Sequence, residues 1–319
     1  MKNYMKKLSL VCIFGWALAG FLSAQASTGL TVYAINGPSG VGMVRLFDNP
    51  PRAPGFDIKM EVVADASLVA ALFTSGTARV GILPPNTAAK IASGGKNIQV
   101  AAVLGAGMLS LLSSDPAVQR IEDLKGKTVE MAGQGATPDY VFRRILGAKN
   151  LKPGTDLTLN FSNPTPSIAQ LLISGRASNA LLPEPFATMT RAGNANIKQV
   201  GNIQDEWIRA GGAADYPMTV LVVDADFAAS QPAALKAILD AVKVSVEWVV
   251  ANPAAAGPPV EKYLGLKAQV ISAAIPRSNY VYIPAARARP ALESLYRAFL
   301  EFEPLSIGGA LPKDSFYLK

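Results

Sequence analysis

Short apolar runs alternate with segments of helical periodicity along most of the chain. Leu30–Ile35, Phe56–Val63 and Val80–Leu83 are apolar runs of strand length, and turn residues or helix-capping residues follow each of them. The segments between these runs carry apolar residues at helical spacing. Strands that alternate with helices predict βαβ units, and therefore an α/β fold with mostly parallel sheets.

One helix–strand–loop unit occurs twice in the chain. Its first copy contains Ser75-Gly76 and its second contains Ser174-Gly175, which gives an offset of 99 residues. The other matched pairs are Leu72 with Leu171, Ala78 with Ala177, Leu83 with Leu182, Pro84 with Pro183 and Ala88 with Ala187. A repeat of this length predicts two similar α/β lobes rather than a solenoid of short units.

Two segments interrupt the alternation and predict where the chain crosses between the lobes. The first is Gly105-Ala106-Gly107, whose glycines accept the backbone angles of a hinge. The second is Trp207–Pro217, which lacks periodicity. We therefore expect two Rossmann-like lobes joined by a two-segment hinge. The first lobe would contain residues 27–107 plus 218–319, and the second would contain residues 108–217.

The C-terminal third is predicted to be mainly helical. Leu235–Val249 and Leu292–Phe302 each show one apolar face at helical spacing. Ala255–Leu264 has helical character, but Gly257-Pro258-Pro259 predicts an interruption. We expect the last segment, Ser306–Tyr317, to wrap in an ordered conformation over the first lobe.

The N-terminus has the features of a secretory signal peptide over residues 1–26. A basic start with three lysines precedes an apolar run, and Ser23–Ala26 offers a cleavage site with small residues. The single cysteine, Cys12, lies in this segment, so we expect the mature chain to form no disulfide. We predict a periplasmic or extracytoplasmic protein. Retention of the segment as a membrane anchor is the alternative.

Composition excludes several classes of function. The 319 residues include no histidine, which excludes Ser–His and Cys–His catalysis and every metal site that uses histidine. The formal charge of +7 falls to +4 without the three lysines of the signal segment, and the other basic residues are dispersed, so nucleic-acid binding is not indicated. Gly133-Gln134-Gly135 lacks the third glycine and the acidic residue of a dinucleotide-binding fingerprint. We expect no metal, no cofactor and no enzymatic activity.

Four loops that follow predicted strands are the candidate ligand-binding elements. In open α/β sheets, ligands bind where the carboxyl ends of strands lead into helices, and two facing lobes would place such loops on both walls of a cleft. Free backbone N–H groups and the positive ends of the helix dipoles favour an anionic or small organic solute. The candidate residues in these loops are Asn36, Gly37, Ser39, Asn86, Thr87, Gln134, Gly135, Thr137 and Glu184.

Several of these residues also have a structural interpretation. Ser39, Thr87 and Thr137 are suited to cap the helices at which they lie. Glu184, which lies between two prolines, either contacts the solute or is a solvated carboxylate or a charge at the N-terminus of the next helix.

Three residues outside these loops complete the candidate set. Arg277 is suited either to clamp an anionic group or to brace the C-terminal segment. Trp207 and Tyr216 lie near the second crossover, where they would either stack on a planar solute or pack in the hinge.

A further set of motifs extends over essentially the whole mature chain. These motifs are Asn36–Gly40, Ser75–Pro84, Leu124–Lys127, Gly133–Pro138, Ser174–Thr188, Glu247-Trp248, Ile275–Arg277, Ser306–Gly309 and Phe316-Tyr317. On these stretches the chain resembles type II periplasmic solute-binding proteins of ABC importers, in the branch for nitrate, taurine, other sulfonates and thiamine-pyrimidine precursors. The resemblance implies a two-lobe protein that closes over a small solute and docks on an ABC permease at the membrane. We expect it to act as a monomer.

Two other functions stay open. A sensor subunit that reports ligand occupancy to a membrane receptor would use the same cleft. An enzyme similar to the thiamine-pyrimidine synthase of this fold is disfavoured, because that enzyme uses a histidine as a substrate and this chain has none.

Overall fold

The computed structural model describes residues 27–213 and 215–319, which form two mixed β-sheets with connecting helices. The predicted signal peptide and Cys12 lie outside the described residues. The strands are β1 Thr28–Ile35, β2 Phe56–Val63, β3 Val80–Leu83, β4 Ile98–Ala106, β5 Leu109–Ser113, β6 Thr128–Met131, β7 Thr158–Asn160, β8 Asn179–Pro183, β9 Lys198–Asn202, β10 Pro217–Asp224 and β11 Tyr280–Pro284.

The two sheets share one strand order. The first is ordered β2-β1-β3-β10-β4-β11, and the second is ordered β7-β6-β8-β5-β9. In the first sheet, β10 lies antiparallel between β3 and β4. In the second, β5 lies antiparallel between β8 and β9. The predicted α/β fold with two mixed sheets is confirmed. Within the described chain, four neighbouring strand pairs are parallel and five are antiparallel, because β5, β10 and β11 run against their neighbours.

The repeat of 99 residues corresponds to equivalent elements of the two sheets. β3 lies third in the first sheet, between β1 and β10, and β8 lies third in the second sheet, between β6 and β5. A helix follows each of these strands after the matched proline. The repeated sequence therefore occupies the same position in each of the two sheets.

Helices connect the strands and pack against the sheets. They are α1 Arg45–Asp48, α2 Ala66–Ser75, α3 Pro85–Ser93, α4 Thr137–Ala148, α5 Thr165–Ile173, α6 Phe186–Gly193, α7 Ile203–Arg209, α8 Ala225–Ser230, α9 Pro232–Ala251, α10 Pro253–Leu264, α11 Ala268–Ala274 and α12 Ala285–Phe302. Short 3-10 helices span Pro38–Met43, Ile121–Leu124, Ile275–Arg277, Pro304–Ile307 and Asp314–Phe316.

The predicted interruption of the helix near Gly257 is wrong. α10 is continuous and contains Pro258 and Pro259. Gly257 lets α11 approach closely, because a Cβ at this position would lie 2.7 Å from the carbonyl oxygen of Ala268. The close packing of α10 on α11 therefore offsets the loss of two backbone donors at the prolines.

Four elements of the structure, β9, β11, α7 and α8, are missing from the sequence prediction. β9 and β11 are edge strands, each paired on one side only. The expected wrap of the C-terminal segment on the first sheet is present, because Tyr317 forms a bridge with Val100 and the N–H of Leu318 donates to the carbonyl of Val100 at 2.9 Å.

A small hydrophobic cluster around Leu112, Ile168 and Leu182 is confined to the second sheet and its helices. The main hydrophobic core is separate from it and includes residues of both sheets. Its largest side chains without exposed surface include Trp207, Tyr216, Phe142 and Phe299, which belong to elements of both sheets and to the connections between them. Within the described residues, each helix is either too short or too polar to cross a membrane.

Candidate functional site

Four strands end at loops that lead into helices, as the sequence predicts. β1 leads into the 3-10 helix Pro38–Met43, β3 into α3, β6 into α4 and β8 into α6. The cap positions of the first three helices are held by other residues, and none makes a side-chain capping hydrogen bond. The cap interpretation of Ser39, Thr87 and Thr137 is therefore wrong, and their hydroxyls are available to other partners.

Ser39, after β1, contacts the central strand of the first sheet. Its hydroxyl oxygen lies 3.2 Å from the hydroxyl oxygen of Thr219 on β10. Thr219 pairs with Gly105 of β4. A Cβ added to Gly105 would lie 3.8 Å from Thr219 Oγ1 and 3.0 Å from Met108 Cε. Ser39 and Thr219 thus lie close to the point where the chain first crosses between the sheets.

Met108 connects this region to the loop after β8. Its carbonyl oxygen accepts a hydrogen bond from the N–H of Glu184 at 3.0 Å. Loops from both sheets therefore converge around Gly105 and Met108, as expected for the base of an interlobe cleft.

The loop after β3 lies beside the loop after β6. Asn86 and Thr87 line a cavity together with Gly135, so residues attached to different sheets share one space. Gly135 has a φ of 71°, a left-handed conformation that favours glycine. Gln134 at the tip of this loop is exposed, as is Asn36 after β1, while Gly37 has a φ of 98°.

Thr137 begins α4 with a buried hydroxyl. The residue is 3% exposed, and its Oγ1 has no hydrogen-bond partner in the part of the chain that the structure describes. The N–H of Gly135 donates to the carboxylate of Asp139 at 3.0 Å, and Asp139 also pairs with Arg143 at 2.5 Å. An unpaired buried hydroxyl costs about 1 to 3 kcal/mol, which a ligand that bonds to it would recover.

Glu184 is buried at the start of α6. It is 3% exposed, and its Oε2 accepts a hydrogen bond from the N–H of Thr188 at 3.0 Å. The carboxylate thus interacts with the N-terminus of the following helix and is not solvated. Burial raises the pKa of Glu184, and the hydrogen bonds from Thr188 and the charges of Arg277 and Arg191 offset this effect only in part.

The raised pKa predicts that Glu184→Gln changes the pH dependence of stability. A carboxyl group with a higher pKa in the folded protein contributes stability below its ordinary pKa, and that contribution is lost as the pH rises through the folded pKa. Denaturant unfolding at several pH values should therefore show the wild type losing stability relative to Glu184→Gln as the pH rises. The loss is about 1.4 kcal/mol per unit of pKa difference.

The control for this experiment is Asp115→Asn. The hydrogen bond from Lys127 lowers the pKa of Asp115, so the wild type should lose stability relative to that variant as the pH falls. A difference between wild type and Glu184→Gln that does not change with pH, or that has the sign expected for Asp115, contradicts the prediction.

Arg277 and Tyr280 come from the C-terminal part of the chain and interact electrostatically with Glu184. Arg277 is exposed and has no carboxylate within 4.0 Å among the described residues. Its charge nonetheless acts on Glu184. Tyr280 opens β11, is 5% exposed, and has a hydroxyl without a partner in the described chain. Burial raises the pKa of Tyr280, the nearby Ser278 side chain opposes this effect, and the charge of Glu184 adds a smaller increase.

Trp207 and Tyr216 pack against each other near the second crossover. Both have no exposed surface, and their rings meet edge to face with centroids 6.0 Å apart. The hydroxyl of Tyr216 accepts a hydrogen bond from the N–H of Leu109 at 3.3 Å, and the guanidinium of Arg144 lies 5.4 Å from the Trp207 ring. In this conformation the two side chains pack in the hinge and offer no stacking face to a solute.

Thr219 and Tyr280 are polar residues of this region that sequence reasoning missed. Both lie on strands, whereas the predicted candidates lie in the loops after strands, near the second crossover or at Arg277. Thr219 did carry a signal, since it is a lone hydroxyl in the apolar run of β10. Tyr280 carried none, because β11 was not predicted. No three His, Cys, Asp or Glu side chains in residues 27–213 and 215–319 are placed to hold a metal ion.

Comparison with known proteins identifies the family. The model of the family described as NMT1/THI5 like matches residues 52–256, which is more than half of the chain. A search of curated protein sequences finds no match.

Solved structures share the fold. An ABC transporter protein from Parabacteroides distasonis is 23% identical, with a TM-score of 0.77 over 92% of this chain and 99% of that chain. The periplasmic aliphatic sulphonate binding protein SsuA from Escherichia coli is 16% identical, with a TM-score of 0.71 over 86% and 92%. The periplasmic nitrate-binding protein NrtA from Synechocystis PCC 6803 is 16% identical, with a TM-score of 0.58 over 77% and 69%. The chain belongs to the NMT1/THI5-like family and has the type II periplasmic binding protein fold.

Proposed function

We propose that the protein is the extracytoplasmic solute-binding component of an ABC importer and captures a small organic or anionic solute between two lobes. The observation that carries this proposal is a set of buried polar atoms without partners in the described chain, contributed by loops of both sheets. Asn86 Oδ1 follows β3 of the first sheet, and Thr137 Oγ1 follows β6 of the second. A polar solute held between the loops would satisfy such atoms.

The lobes in this proposal contain residues 27–107 plus 218–319 and residues 108–217. The sheets support this division, because β5–β9 form the second sheet and all other strands form the first sheet. The candidate contact residues are those of the four loops together with Arg277. A solute shifts the lobes toward closure only if it binds the closed form more tightly than the open form.

The partners follow from the fold and the similar proteins. The sulphonate- and nitrate-binding proteins named above support a small anionic solute for this chain, and the ABC transporter protein supports an ABC permease as the docking partner. Export by the N-terminal segment would place the protein outside the cytoplasm. We expect a monomer that does not bind nucleic acid.

Two other functions differ from this proposal in the macromolecular partner or in the chemistry. A sensor subunit would bind the solute equally well but would bind a receptor instead of a permease. An enzyme similar to the thiamine-pyrimidine synthase would need a substitute for the missing histidine.

Mass spectrometry of the solute that co-purifies with the mature protein tests the proposal most directly. Isothermal titration and thermal shift against alkanesulfonates, taurine, nitrate, thiamine-pyrimidine precursors and aromatic acids provide the second test. We expect saturable binding of one class. The absence of a co-purified solute, of heat and of a thermal shift with every class would overturn the proposal.

Thr137→Val is expected to weaken solute binding without lowering stability. The substitution preserves the shape of the side chain and removes a hydroxyl that has no partner in the described chain, so folding loses no hydrogen bond. The lost bond to the solute should cost about 1 to 1.5 kcal/mol, a roughly 5- to 10-fold increase in Kd.

The matched control is Thr190→Val. Thr190 also has a buried, unpaired hydroxyl in the described chain, but it lies within α6 and has no exposed surface. Titration should show unchanged affinity in this variant. A loss of stability in Thr137→Val, or an equal loss of affinity in both variants, would show that Thr137 does not contact the solute.

A further inference from the structure

A cavity of about 510 Å³ lies beside the proposed cleft and extends beyond its four loops. Residues of α2 and α3, the helices that precede and follow β3 of the first sheet, form one wall of the cavity. Gly135 from the second sheet and Ser306 from the C-terminal 3-10 helix complete the lining. The cavity is therefore assembled from three separate parts of the chain.

Two lysines give this cavity a positive charge. Lys90 on α3 and Lys96 just after α3 line it, and neither has a carboxylate within 4.0 Å among the described residues. The lining includes no acidic residue. The carboxylate of Asp139 accepts a hydrogen bond from the N–H of Gly135, and its charge is paired with Arg143 at 2.5 Å. The cavity thus offers two ammonium groups without an internal counter-charge.

Two buried polar atoms in the same lining lack partners. Asn86 Oδ1 and Ser306 Oγ have no hydrogen-bond partner in the described part of the chain. The N–H of Ser306 is already satisfied, since it donates to the carbonyl of Glu303 at 2.9 Å. The hydroxyl of Ser306 is therefore free to donate to an anion, and Asn86 Oδ1 is free to accept from an N–H or O–H group.

We propose that this cavity is an anion-binding pocket in which Lys90, Lys96 and Ser306 hold a carboxylate, sulfonate or phosphoryl group. The ligand has its own hydrogen-bond donor, which contacts Asn86. Because Asn86 belongs to the proposed solute cleft, the inference rests on the proposed function for the link between pocket and solute. The anion-binding chemistry itself does not depend on that function. Gly135 reaches the pocket from the other sheet, so an anion held there also favours the approach of the two lobes.

The test uses inorganic phosphate as the probe, since it has both negative charge and an O–H donor near neutral pH. Isothermal titration of the mature protein, with chloride at equal ionic strength as the reference, should show saturable binding. The double variant Lys90→Gln/Lys96→Gln should weaken phosphate binding at least tenfold, and Ser306→Ala should weaken it several-fold. Unsaturable binding in the wild type would overturn the proposal.

A charge-matched control separates the pocket from general electrostatics. Lys59→Gln/Lys267→Gln removes two other exposed lysines and the same net charge. Phosphate affinity should not change in this variant. Equal weakening in both double variants would overturn the proposal, because the effect would then follow net charge alone.

Competition distinguishes the source of the anionic group. If the pocket holds the acidic group of the solute, phosphate will compete with the solute identified by mass spectrometry. If it holds a free anion, phosphate will bind alongside the solute and increase its affinity. Failure of all solutes to bind, with phosphate binding intact, would overturn the proposed function and leave the pocket supported.

Discussion

Trp207→Ala should lower the free energy of unfolding by about 3 to 5 kcal/mol, as expected for a fully buried aromatic side chain cut back to a methyl group. The ring has no exposed surface, lies edge to face with Tyr216 and has the guanidinium of Arg144 5.4 Å away. The segment around Gly212 packs tightly against the ring, so it has little room to move into the cavity that the substitution would create. A Cβ on Gly212 would lie only 2.1 Å from Trp207 Nε1.

Urea unfolding followed by circular dichroism measures this effect. The matched control is Trp248→Ala on α9, where the ring is only partly buried and the guanidinium of Arg45 lies 5.4 Å from it. Trp207→Phe should cost much less than Trp207→Ala, since Trp207 Nε1 has no hydrogen-bond partner in the described chain to lose. Equal destabilisation by Trp207→Ala and Trp248→Ala would refute the assignment of Trp207 to a tightly packed hinge.

Phe299→Ala should have a comparable effect on stability, about 3 to 5 kcal/mol, and should also weaken solute binding. Phe299 lies on α12, which packs on the first sheet, and its ring meets that of Tyr140 on α4, the helix after β6 of the second sheet, with centroids 4.9 Å apart. Arg144 and Glu301 add an ion pair of 3.6 Å between the same two helices. Loss of the aromatic contact weakens the packing of α12 on α4, and in the proposed two-lobe arrangement these helices connect the lobes.

Phe302→Ala is the control for this contact. Its ring stacks on the same Tyr140 at 6.0 Å but is 37% exposed, so its removal should cost roughly 1 kcal/mol. Unfolding measures the stability of both variants, and titration with the identified solute measures the affinity. A Phe302→Ala variant as unstable as Phe299→Ala, or a Phe299→Ala variant with unchanged affinity, would contradict the assignment.

The regular part of the fold follows from the sequence because each predicted element is buried by its neighbours. β1, β3 and β10 are interior strands, and their apolar runs are visible without the structure. β9 has the sequence Lys-Gln-Val-Gly-Asn and lies at an edge, where pairing with β5 alone supplies its order. No pattern of apolar and polar residues in the sequence predicts such a strand, because its conformation depends on pairing with the sheet.

The candidate site was predictable in position but not in the state of its side chains. The loops after β1, β3, β6 and β8 lie where strand–helix connections predict them. Burial depends on distant parts of the chain, however, and so Glu184 is enclosed rather than solvated. Tyr280 enters the same region from a strand almost one hundred residues further along the sequence, and only tertiary structure brings it there.

The central position of β10 has a consequence for the order in which the protein folds. β3 and β4 do not pair with each other, because each pairs with β10, which is made only after all strands of the second sheet. The second sheet is continuous in sequence and can form as soon as β9 is available. A chain that ends before Pro217 would therefore carry a finished second sheet, while in the first sheet β3 would be unpaired on one side and β4 on both sides. Such unpaired strand edges are sites of aggregation. We therefore expect these edges to stay exposed during synthesis until β10 and β11 have been made.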